Sequence, residues 1–206
     1  MGSRHLVNRR RLLRQAAWAA TAMLPAAWSN AAEPAGVVED VRGEAFAEAG
    51  SVHRTLAQAA PLFLNDEVGT GHDSRLGMRL GRNTMLRLGE DARVKIDRFL
   101  VDAGGEITLE SGPLLFDRPR SQRPDSTRIR TPFGLIAVRG TRLFAGPSNA
   151  RFGVFVERGI VAVTARGRQV VLHAGEGTDF DAPGAAPTPA KPWLPPRIRA
   201  AFASVE

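Results

Sequence analysis

From Gly36 to Asp181 apolar and polar residues trade places with a period of two. Leu76, Met78 and Leu80 alternate with Gly77 and Arg79. Thr84, Leu86 and Leu88 alternate with Met85 and Arg87, and Val94 and Ile96 with Arg93, Lys95 and Asp97. Ile107 and Leu109 alternate with Glu106, Thr108 and Glu110. On a pleated strand that period sends one set to a core and the other to water. Phe152, Val154 and Val156 share one face, Val161 and Val163 another, and Val170 and Leu172 follow. Gly81-Arg82-Asn83, Gly89-Glu90-Asp91, Ala103-Gly104-Gly105, Glu157-Arg158-Gly159 and Arg166-Gly167-Arg168 stand where turns are needed. The expected core therefore includes Leu86, Leu88, Val94, Ile96, Val154, Val156 and Val161.

The pattern predicts an all-β domain over 36–181, of roughly a dozen short strands. LGMRLGRN, MLRLGED and ARVKIDRF read as successive versions of one short unit. Such a repeat builds either a β-roll or solenoid-like coil, or consecutive hairpins in a meandering sandwich, and the spacing allows both. HRTLAQAA at 53–60 is the one short helical candidate there. Beyond it, 182–206 opens with Pro183, Pro187, Pro189, Pro192, Pro195 and Pro196, a stiff, extended linker, and ends in RIRAAFASVE, with room for a helical turn or two.

The start of the chain changes the reading of its charge. Asn8-Arg9-Arg10-Arg11-Leu12-Leu13-Arg14 precedes the weakly apolar stretch 16–28, and Ser29-Asn30-Ala31 offers small residues at a cleavage site. Residues 1–31 thus read as a signal peptide, with a signal helix and cleavage after Ala31. The adjacent arginines fit twin-arginine export, with the general secretory route as the alternative. The apolar stretch is too short to span a bilayer comfortably, so no stable membrane span is expected after processing, and the expected location is the periplasm. The 206 residues carry 28 Lys+Arg against 21 Asp+Glu, but five of those bases lie in 1–31, leaving 23 against 21, or +2. Net charge then gives no support to a nucleic-acid partner. There is no Cys, which removes disulfides, thiolate nucleophiles and Cys-based metal sites.

In order and spacing, several pieces of the sequence resemble the FecR domain family. They are GVVEDVRGEAF (36–46), LNDEVGTGHDSRLGMRLGRNTMLRLGEDARVKI (64–96), GEITLESGPLLF (105–116), RIRTPFGLIAVRGTRLF (128–144) and FVERGIVAVTARGRQVVLHAGEG (155–177). The most diagnostic is the threonine-proline followed by Val138-Arg139-Gly140-Thr141. The resemblance implies an all-β periplasmic domain of signal transduction in the cell envelope, whose iron-regulatory members relay a receptor's state to a sigma factor. The sequence shows no sigma-binding region and no spanning helix, so the expectation is a free periplasmic version, binding another envelope protein.

Candidate chemistry is sparse. Val138, Arg139, Gly140 and Thr141 read as a strand-to-strand turn that fixes register, or as a corner for a partner; Thr141 is expected to bond locally to the turn. His53, His72 and His173 are scattered, without the spacing of a zinc site. Thr70-Gly71-His72-Asp73-Ser74 sets His, Asp and Ser together, but neighbours on an extended chain point to alternate sides and make no triad. Asp66 and Glu67 are adjacent, not opposed across a substrate, and read as a turn. RLGRN and RLGED lack the form of a phosphate loop. The expectation is therefore no enzyme, no cofactor and no metal. Arg75, Arg79, Arg87 and Arg93 are the outward positions of neighbouring runs and would form a basic stripe if those strands stack. Such a stripe suits an acidic partner, either a protein or, in the alternative reading of a structural module, a cell-wall or surface polysaccharide.

Overall fold

The structure is a computed structural model that describes Gly2 and residues 33–100, 104–120 and 126–206. The expected signal helix, the twin-arginine motif and the cleavage point after Ala31 lie outside these residues. Contacts gather Ala32–Glu206 into one compact unit, to which everything below belongs.

In chain order the strands are β1 (Gly36–Arg42), β2 (Ala45–Ala49), β3 (Val52–Thr55), β4 (Pro61–Leu62), β5 (Glu67–Thr70), β6 (Arg75–Leu80), β7 (Thr84–Leu88) and β8 (Arg93–Leu100). They continue with β9 (Gly104–Ser111), β10 (Leu114–Asp117), β11 (Ser126–Thr131), β12 (Gly134–Ser148), β13 (Arg151–Ala165), β14 (Arg168–His173), β15 (Glu176–Phe180) and β16 (Lys191–Pro192). A single helix, α1 (Pro195–Ala203), closes the chain. The protein is mostly β, as the alternation predicts.

The spine is the antiparallel pair β12–β13, 15 residues each. The first half of β12 pairs on its other side with β11, and the second half with β10. Two limbs leave from there. One runs β11, β9, β8, β5, β2, β3, with β9 and β11 parallel; the other runs β10, β7, β6, β1, β4. The sheet curls into a half-barrel whose limbs share one core. Leu86 and Leu88 from one limb, Val94 and Ile96 from the other, and Val154, Val156 and Val161 from the spine are all fully buried in it.

The repeat resolves into neither simple alternative. Its first two units form the β6–β7 hairpin, whereas the third, β8, crosses to the other limb and pairs with β5 and β9. The helical reading of 53–60 gives way to strand β3 followed by a turn. Val52 to Thr55 pair with β2, and only Leu56 beyond them is buried. With only Leu56 buried and Ala60 partly so, that stretch has too narrow an apolar face to support a helix.

Glu157-Arg158-Gly159 is not a turn, nor is Val138 to Thr141. Both lie inside the long strands, face to face. Register slips between Arg139 and Arg142 of β12, opposite Ile160 and Arg158 of β13. Gly140 has φ +61° and Gly159 φ +96°, backbone that glycine adopts without steric cost. Ile136 and Val138 point inward before this bulge, Leu143 and Ala145 after it. An extra residue on each strand has switched the phase of both together, the expected effect of a bulge.

Residues 182–206 form neither a free linker nor a free tail. Thr188 accepts through its carbonyl from the Thr178 hydroxyl (2.6 Å) and donates its N–H to Asp179 O (3.0 Å). β16 pairs with β15. Two prolines, whose fixed φ suits a first helical turn, open α1, and Phe202 and Ala201 turn inward. With Trp193 and Val205 they form a second cluster against Leu115, Phe144 and Phe155 on the outer side of the sheet. The prolines make this segment extended, but its aromatic residues dock it.

Candidate functional site

The four arginines expected as one face are divided by the topology. Arg75 and Arg79 lie on β6 and Arg87 on β7, in one limb, whereas Arg93 lies on β8 in the other. Three of the four are also paired. Arg79 Nε meets Glu39 at 2.7 Å, Arg87 reaches Asp40 at 3.8 Å, and Arg93 lies 3.0 Å from Glu67 and over the Phe46 ring. Arg75 donates to the Ser74 carbonyl at 3.0 Å. The acids come from β1, β2 and β5, strands whose pairing the local spacing did not reveal. No continuous basic stripe forms on these residues.

The suspect polar turns are structural. Asp66 is buried, takes Arg54 at 2.5 Å and accepts from Phe63 N at 2.8 Å. The Ser74 hydroxyl donates to the His72 carbonyl and accepts from Glu44 N, both at 2.9 Å, and so ties the turn to itself. His53 stacks on Phe46, and His173 gives its backbone N–H to Glu176. His72 meets Asp91 and Glu90 of a neighbouring turn, and ligand atoms of the three lie within 4.8 Å of one another. The hydrogen bond to Asp91, then the nearby charges of Asp73 and Glu90, raise the His72 imidazole above its ordinary range. All three are exposed. The sequence did not reveal this cluster because its members sit on separate turns.

The bulge is a different matter. A side chain on Gly140 would meet Arg120 Cα at 2.7 Å, and one on Gly159 would meet the Gly140 carbonyl at 2.8 Å. The backbones of three segments therefore meet where no Cβ fits. Thr141 is completely buried, its carbonyl takes Arg118 N at 2.9 Å, and its hydroxyl finds no partner among the described residues. That corrects the expectation that Thr141 bonds within a turn. Val138 is buried in the core, whereas Arg139 is exposed opposite Ile160.

Beyond the bulge, the outward side of β12, β13 and β14 is bare. Ala137 lies across from Ala162, which lies across from Val171. Ile160 and Val171 are 56% and 45% exposed, unusual for such side chains on a sheet. With Arg120 and Arg139 they line a groove of about 490 Å³. A second concavity, about 510 Å³, is lined by Phe133, Phe152 and Phe180; its rim charges, Arg151 and Asp181, are already paired at 3.2 Å.

In fold and motif the chain is similar to the FecR domain: residues 66–162 match the family model described as FecR protein, from the start of β5 into β13, with the bulge included. The match falls inside the 36–181 span that the motifs outlined. Among solved structures, two crystal structures of a candidate anti-sigma factor from Parabacteroides distasonis ATCC 8503 are similar to this chain. Each has a TM-score of 0.57 and 15% identity, and covers 66% of this chain. The chain spans 64% of the length of one and 63% of the other. At that identity the likeness is one of fold. No curated protein matches the chain.

Proposed function

We propose that this protein is an exported, non-enzymatic binding module of FecR-type envelope signalling, acting in the periplasm on another envelope protein. The observation that carries the reading is the FecR match over 66–162. Candidate anti-sigma factors of like fold support it. Among the described residues no helix is long and apolar enough to cross a membrane. The chemistry agrees with the reading. The acids and histidines singled out from the sequence are tied into turns and ion pairs, whereas the motif residues frame an open groove beside a sheet edge. Open edges and grooves of this kind bind extended segments.

The test is genetic. The gene is deleted, then restored on a plasmid, and transcripts are compared under conditions in which the protein is made. A discrete set of genes should change on deletion and return on complementation. An unchanged set of transcripts, with a metabolite accumulating instead, would replace signalling with catalysis.

A further inference from the structure

Apolar side chains stand uncovered in the groove beyond the bulge, and the arginines around it form no ion pair among the described residues. Elsewhere many arginines of this protein are answered by acids: Arg79 by Glu39, Arg93 by Glu67, Arg158 by Asp117, Arg197 by Asp179. Around the groove the pattern stops. Arg139 and Arg120 on its rim, Arg128 across from Ala137, and Arg166 and Arg168 at the β13–β14 turn form no ion pair among the described residues. Arg130, next along β11, is the exception and holds Glu106.

The groove also borders an edge. Among the described residues β14 pairs with β13 alone, so alternate N–H and C=O groups along its other side have no strand there to meet. An edge of that kind is a template for an added strand. Its outward residues continue the groove, since Val171 stands across from Ala162.

We propose that this groove and the β14 edge bind an extended, acidic segment of a partner protein, in which carboxylates and apolar side chains share one face. This rests on the reading of the chain as a protein-binding module. A strand laid against β14 presents every second side chain to one face. Apolar residues on that face then meet Val171 and, beyond it, Ala162 and Ile160, and carboxylates on the same face meet Arg139 and Arg120. A second copy of this chain fits poorly, because it would bring one arginine rim against another, and like charges across an interface disfavour association. An acidic polysaccharide would satisfy the arginines but leave Ile160 and Val171 in water.

The purified full-length chain is titrated with four probes: a ten-residue peptide in which Glu and Val take turns at every second position with Ser between them, its Lys–Val counterpart, an all-Asp peptide and polygalacturonate. The Glu–Val peptide should bind best and the Lys–Val peptide should not bind. R139E and I160D, each exposed and so compatible with folding, should each weaken the Glu–Val peptide by about ten-fold or more, with thermal midpoints near that of the parent. R79E, on the other limb, should leave binding unchanged. The proposal is overturned if the Lys–Val peptide binds as well, if R139E and I160D bind normally, if polygalacturonate or the all-Asp peptide binds better, or if none of the probes binds. These results are independent of the transcript experiment: signalling without peptide binding removes only this site, and peptide binding without a transcript change removes only the signalling role.

Discussion

β12 and β13 run together for their whole length, but the two halves of their outward side are treated differently. On the half after the bulge in β12, Phe144 and Phe155 are covered by the C-terminal segment. Trp193 stacks on Phe155 with ring centroids 5.1 Å apart, and a side chain on Gly153 would strike its indole at 2.8 Å. The lack of a Cβ there leaves a flat seat for the ring. Arg197 lies over the same indole and holds Asp179 at 2.5 Å, and Asp179 also takes Lys191 at 2.9 Å. On the other half, Ile160, Ala162 and Val171 have no such roof. One pair of strands thus offers a sealed apolar surface and an open one, separated by a bulge that re-aims both strands. A surface that stability requires is covered by the chain itself; a surface left open is available to something else.

The contrast can be broken most directly on β13, where Phe155 and Ile160 both point outward. Phe155→Ala should cost about 3–5 kcal/mol, the usual range for emptying a packed aromatic site. Ile160→Ala should stay within about 0.5 kcal/mol, as exposed substitutions do. Urea denaturation measures both, and similar costs would mean that the two halves do not differ in burial.

The clasp that fixes the roof comes next. Asp179 is nearly completely buried. Burial alone would push its carboxyl up, but hydrogen bonds and charge from Arg197 and Lys191 override this and hold it below the ordinary carboxylate range. Asp179→Asn should cost about 3 kcal/mol at neutral pH, as breaking a buried pair does. A carboxyl with a lowered folded pKa contributes stability above its unfolded value and loses it as pH falls through the folded one. The gap between parent and variant should therefore be widest at neutral pH and close in strong acid. A gap that widened on acidification would contradict the assignment.

At the bulge, Gly159→Ala combines positive φ with a collision and should cost about 1–3 kcal/mol. Gly167, also at positive φ but with nothing within 4 Å, should cost about 1 kcal/mol when changed to Ala. Equal costs would show that crowding at the bulge adds nothing. The smallest effect belongs to Arg79→Ala, below about 1 kcal/mol for a half-exposed pair, and smaller still in high salt.

The alternation of Leu86 with Arg87, or Val94 with Lys95, is enough to name strands and core faces, because period two is a local property. Partners were not legible. Nothing near Arg87 or Arg93 in the sequence announces Asp40 or Glu67, which arrive from strands far away along the chain. Gly140 and Gly159 were read as turns because glycine marks positive φ without saying whether the strand ends or only bulges. The deciding signal was present: inward residues are even-numbered at Ile136 and Val138 and odd-numbered at Leu143 and Ala145, a change of phase that a turn does not require. The prolines of 182–196 describe backbone stiffness and are silent about where Trp193 and Phe202 settle.

The open half of the spine is the surface proposed to meet a partner. Photoreactive residues placed singly at Ile160, Val171, Val52 and Leu194 of the full chain, all exposed apolar positions, would test it in cells that normally make the protein. Illumination should give one discrete adduct from 160 and 171, lost in R139E, and none from 52 and 194. Adducts from 52 or 194 but not from 160 and 171 would contradict the claim, as would adducts of equal yield from all four.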